Sequence, residues 1–94
     1  MRKFVIERDI PAVGSMDRSE LGEASQKSND ALAELSPDIQ WQHSYVAGDK
    51  TFCIYLANDE NAIHRHAELS GFPATRITEI KTVIDPTTSQ LRRA

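Results

Sequence analysis

The chain has 94 residues, 39% hydrophobic and 27% charged, which fits one soluble domain with a modest core and leaves no room for separate cofactor and substrate domains. Its net charge of −3 supplies no basic footprint, so a nucleic-acid role has no electrostatic support. A single cysteine, Cys53, excludes an intramolecular disulfide and any cysteine-pair zinc or iron–sulfur motif.

The first apolar run, within residues 3–10, is rich in β-branched and aromatic side chains and reads as a strand closed by the turn at Pro11 to Ser15. Only Phe4, Val5 and Ile6 precede Glu7, far fewer apolar residues than a secretory segment needs, and no run approaches a membrane span. A cytoplasmic protein without membrane contact is the expectation. Asp17 and Glu20 form a capping-box pattern ahead of Leu21, Ala24, Ser28, Ala31, Leu32 and Leu35. Their spacings of three and four place these residues on one helix face. Pro37 ends that helix.

Asp38 to Val46 reads as a second strand, Gly48-Asp49-Lys50 as a hairpin connection, and Thr51 to Ala57 as a third strand. The third strand is apolar on both faces: Phe52, Ile54 and Leu56 on one, Cys53, Tyr55 and Ala57 on the other. Two apolar faces need two coverings. A second helix follows from Asn58 or Asp59 to Ser70, with Gly71 in the position that favours a left-handed backbone. The chain then offers a fourth strand over Arg76 to Ile84. Residues 1–88 are read as a single domain and 89–94 as a polar tail.

The order β-α-β-β-α-β predicts an α+β, ferredoxin-like sandwich, a four-stranded antiparallel sheet in the order 4-1-3-2 with two helices on one face. Its second face is left bare, and the apolar residues there predict a homodimer closed sheet to sheet. The space between the sheets is the expected site.

Histidines stand at positions 43, 64 and 66. On a helix, residues two apart lie about 200° around the axis from each other, so His64 and His66 do not chelate one ion. His66 falls with Ile63, Ala67 and Ser70 on the inward stripe, whereas His64 shares the solvent side with Glu60 and Glu68. In an ideal strand His43 shares a face with Ile39, Trp41 and Tyr45. That row either faces the helices, making His43 a core residue, or lines the open face inside the dimer. Glu7 interrupts a strand that is central in this topology, and a carboxylate there needs a cation or hydrogen-bond partners. Strand four offers Glu79 and Lys81 in the same phase. Glu79 is expected beside Glu7, with His43 roughly 10 Å from Glu7 at Cα. The plainer alternative is that Glu7 and Glu79 form salt bridges with Arg8, Arg76 or Lys81. Imidazole with carboxylates suits nickel, zinc, copper or iron; the same groups also suit acid–base chemistry, His43 titrating and Glu7 orienting it. No nucleophile elbow, phosphate loop, dinucleotide fingerprint or H-E-x-x-H is present.

Four segments, Val5-Ile-Glu-Arg-Asp-Ile-Pro11, Asp38-Ile-Gln-Trp-x-His-Ser-Tyr-Val46, Gly71-Phe-Pro-Ala74 with Arg76-Ile-x-Glu79, and Val83-Ile-Asp-Pro-Thr87, together resemble a small bacterial family described as nickel-binding or nickel-responsive. The resemblance runs in order along nearly the whole chain to Thr88. It implies a ferredoxin-like fold, a dimer and a nickel ion, and it favours metal binding over acid–base chemistry. His43, Glu7, His66 and Glu79 stand inside the matching motifs and are the candidate metal ligands. A small dimeric enzyme of the cofactor-independent monooxygenase or isomerase type, with His43 as acid or base, is the alternative. A deep apolar cavity containing His43 but no convergent carboxylates would mark it.

Overall fold

The computed structural model describes residues 1–92. Its elements run β1 (Arg2–Asp9), a 3-10 turn (Val13–Ser15), α1 (Arg18–Leu35), β2 (Ile39–Val46), β3 (Lys50–Ala57), α2 (Glu60–Ser70), β4 (Arg76–Ile80) and a final 3-10 segment (Pro86–Arg92). The sheet order is β2-β3-β1-β4, and all three pairings are antiparallel. The expected ferredoxin-like α+β fold is therefore the observed one.

Local chemistry accounts for the helix boundaries. Asp17 accepts from the backbone of Glu20 at 2.8 Å while Glu20 accepts in return from the Asp17 backbone at 3.3 Å, the full capping box. Asp59 caps α2 through the Ala62 amide, and Gly71 ends it at φ 76°. Among the described residues no helix is long and apolar enough to cross a membrane.

The sheet has a buried face and an outer face. Phe4 and Ile6 of β1 with Cys53, Tyr55 and Ala57 of β3 meet Leu35, Ala62 and Ile63 from the helices in one core. Along β3 burial alternates strictly, so Phe52, Ile54 and Leu56 lie half-buried on the outer face. Burying Phe4, Ile6 and Ile63 completely contributes about 2 kcal/mol apiece.

One expectation needs correction. The fourth strand stops at Ile80 rather than Ile84, because Ile80 lies opposite Lys3, near the start of β1, and little partner strand remains beyond it. Beyond β4 the chain takes up 3-10 turns from Pro86 to Arg92, exposed apart from the half-buried Thr88, with Asp85 accepting from Thr87; the polar tail read at 89–94 begins within them. Residues 93–94 of that tail lie outside the described residues.

Candidate functional site

β2 is not an ideal strand. Trp41 pairs with Tyr55, but His43 pairs with Ile54, so Gln42 is an extra residue in the ladder, a β-bulge. The bulge resets the alternation. Ile39 and Trp41 point to the helices with Tyr55 and Ala57, while His43 and Tyr45 point to the outer face with Ile54 and Phe52. Ser44 returns to the helix side, where its hydroxyl accepts from Trp41 Nε1 at 2.9 Å. The continuous Trp-x-His-x-Tyr row is thus divided between the two faces.

On the outer face the His43 imidazole meets the Tyr45 hydroxyl at 3.2 Å, and their rings stand edge to face at 5.1 Å. Both residues are exposed. Glu7 shares this face, but the row it belongs to is Arg76–Glu7–Phe52–Tyr45, whereas His43 belongs to Val5–Ile54–His43. Two strand spacings and a step of two residues separate their Cα atoms by roughly 12 Å. Lys50, at the start of the neighbouring strand β3, holds the Glu7 carboxylate at 3.3 Å.

The other two candidates lie on the opposite face. Glu79 pairs with Phe4, not with Glu7, which places it on the helix side; Arg2 holds it at 2.7 Å and lowers its pKa. His66 is 1% exposed on α2, its Nε2 3.1 Å from Ser28 Oγ and its ring tilted against Tyr55 at 5.3 Å. Burial, then the nearby charge of Arg8, lowers its pKa to about 4, against a smaller opposing effect of the hydrogen bond at Ser28. His64 is exposed and faces Glu60 at 3.7 Å, the solvated helix position expected of it.

Nickel can therefore be weighed against real donors. His43 is a suitable imidazole ligand, but among the described residues no three histidine, cysteine or acidic side chains converge on one point. A single copy of the chain does not supply a coordination sphere from protein donors alone.

The helix side of the sheet carries a feature that inspection of the motifs missed. A partly open cavity of about 210 Å³ lies between α1 and the sheet. Ile10, Val13, Leu21, Trp41 and Val46 give it apolar walls, and Arg8 is its one charged lining residue. Ser28, Ser44, Thr51 and Tyr55 supply hydroxyls. Burial raises the Tyr55 pKa, with Ser28 and Arg8 pulling the other way. His43 is not part of this cavity, so the acid–base alternative lacks the histidine it was built on. The signal for Arg8 was present: it has the same parity as Phe4 and Ile6.

These features define a ferredoxin-like α+β domain with a small apolar cavity on its helix side and an imidazole displayed on its bare side. The chain belongs to the SCO4226-like family, described as "Nickel responsive protein SCO4226-like", whose profile matches residues 4–80. The crystal structure of SCO4226 from Streptomyces coelicolor A3(2) superposes with a TM-score of 0.73 at 15% identity, over 87% of this chain and 99% of that one. That likeness establishes the shared fold. No curated protein matches the sequence.

Proposed function

We propose that this protein binds a divalent metal ion, nickel foremost, for storage, buffering or sensing in the cytoplasm, and that it does so as a homodimer with His43 of each copy as the protein donor. The observation that carries this reading is the bulge at Gln42, which takes His43 out of the helix-side core and sets it on the outer face. Membership of a nickel-responsive family supports the choice of ion. An imidazole suits nickel, zinc and copper alike, and geometry selects among them.

A dimer makes up for the sparse donor set. Phe52, Ile54 and Leu56 leave a half-buried apolar strip beside His43, and a second copy laid on that strip brings a second imidazole to the same gap. Tyr45, in hydrogen-bond range of His43 Nε2, orients the ring, and water fills the remaining positions. Glu7 supplies negative charge on the same face rather than a direct bond, since Lys50 already engages it. Glu79 and His66 take no part, because both lie on the helix side of the sheet.

Calorimetric titration of metal-free protein with nickel, with sedimentation analysis at each stage, tests the proposal. His43→Ala is expected to weaken nickel binding by about a hundredfold and Glu7→Gln by about tenfold or less. Equal nickel affinity in wild type and His43→Ala removes His43 as a ligand. A monomer that binds nickel as tightly as the dimer removes the shared site.

A further inference from the structure

The cavity on the helix side contains a buried positive charge that meets the ring of Tyr55 at 5.9 Å but, among the described residues, no carboxylate. Arg8 is 2% exposed. Its Nη1 donates to the carbonyls of Pro73 at 2.8 Å and Phe72 at 3.4 Å, while Nη2 is buried without a partner. Among the described residues every ion pair involves other cations, and the cavity lining contains no carboxylate. A buried cation without a counter-charge is costly, and a guanidinium cannot relieve that cost by giving up its proton. Two neutral carbonyls satisfy one of its nitrogens and leave the charge in place.

The surroundings specify what completes it. The volume of about 210 Å³ in a partly open cavity is ample for a medium-chain or aromatic acid. Most of the wall is hydrocarbon, with Leu21, Trp41 and Val46 among its residues. A phosphate would bring several charged oxygens into that wall against one cation. A neutral hydrocarbon would leave Nη2 unpaired, and an amine would add a second positive charge. A carboxylate accepts from the Arg8 guanidinium in a charge-assisted hydrogen bond, a turn of the side chain bringing the enclosed Nη2 to the cavity, and leaves the rest of its molecule for the apolar wall. The hydroxyls of Ser28 and Tyr55 are the nearest candidates for its second oxygen.

We infer that this cavity is a binding site for a small apolar carboxylic acid, anchored by its carboxylate on Arg8 and by its hydrocarbon against Trp41 and α1. The site lies on the opposite side of the sheet from His43 and is independent of the metal reading.

Trp41 is the one tryptophan of the chain and lines the cavity, so its emission reports occupancy. Wild-type protein is titrated with hexanoate, octanoate and phenylacetate below any micelle-forming concentration, and with octanol and octylamine as neutral and cationic counterparts, each checked by calorimetry. At least one acid is expected to bind saturably. Octanol is expected to bind about tenfold more weakly than octanoate, and octylamine not at all. Arg8→Met is expected to lower acid affinity about tenfold or more, with Arg8→Lys between the two. Ala24→Leu, which fills the cavity from α1 while keeping Arg8, is expected to abolish binding. Circular dichroism melts establish that each variant is folded. The inference is overturned if none of the acids binds wild type, if octanol matches octanoate, or if folded Arg8→Met binds acid as well as wild type. Should Arg8→Met fail to fold, the octanoate-to-octanol ratio and Ala24→Leu decide by the same criteria.

Discussion

Protonation of His66 is expected to destabilise this protein from within. In an unfolded chain its imidazole titrates near the ordinary histidine value of 6.5, but in the folded protein its pKa is lowered to about 4. Desolvation is the larger cause and the charge of Arg8 the second. The groups facing the ring are Ser28 from α1, Tyr55 from β3 and Arg8 from β1, and none of them is an acid that would welcome a proton. Between these two pKa values the unfolded state binds a proton that the folded state refuses, so stability falls as pH falls. The contribution is fully present above pH 6.5 and lost progressively down to about 4. At about 1.4 kcal/mol per pKa unit the whole effect is about 3 kcal/mol, of which about 2 kcal/mol is gone by pH 5. Urea unfolding followed by Trp41 fluorescence, at steps from pH 7.5 to 4.5, measures it. His66→Gln keeps an amide within reach of Ser28 but does not titrate, so its stability is expected to be nearly flat between pH 7 and 5. Glu79 and Asp85, both with lowered pKa values, add acid sensitivity only at lower pH. A wild type that loses no stability by pH 5, or a His66→Gln variant with the same slope, refutes this account.

Two further outcomes are expected. Asp17→Ala removes the side-chain half of the capping box on α1 and is expected to cost about 1 kcal/mol in denaturant unfolding, with Asp17→Asn costing much less. Gly14 packs its α-carbon against the hairpin: an added Cβ would run into the Ala47 carbonyl and come within 2.9 Å of Gly48 Cα. Gly14→Ala is therefore expected to lose about 2 kcal/mol and to lower affinity for any ligand of the cavity, whose wall includes the neighbouring Val13. A melting temperature equal to wild type would show that the turn can move aside freely.

Much of the fold was legible because it follows from local chemistry. The capping box at Asp17 and Glu20, the cap at Asp59 and the terminating Gly71 each act within a few residues, and all appear where the spacing placed them. The two-sided alternation of β3 and the inward turn of His66 follow from period alone. What depends on a partner strand was not legible. The bulge at Gln42 exists only as a mismatch between β2 and β3, so assuming an unbroken period of two gave Trp41 and His43 one face. The same limit explains Glu79, which a register placing Phe4 opposite it sends to the helix side, and Glu7, whose partner Lys50 stands diagonally across the β1–β3 ladder. Arg8, read as a salt-bridge partner for the strand carboxylates, is misplaced for another reason. Charge suggested the surface, whereas its strand position required the interior.

The inserted Gln42 separates two tasks along eight residues of β2. Upstream, Ile39 and Trp41 answer to the packed interior; downstream, His43 and Tyr45 answer to whatever meets the exposed side. A substitution at position 43 or 45 thus alters what the outer face displays while Ile39 and Trp41 keep the interior packed. Deleting Gln42 would couple the halves again, forcing an imidazole into the interior or an indole out of it.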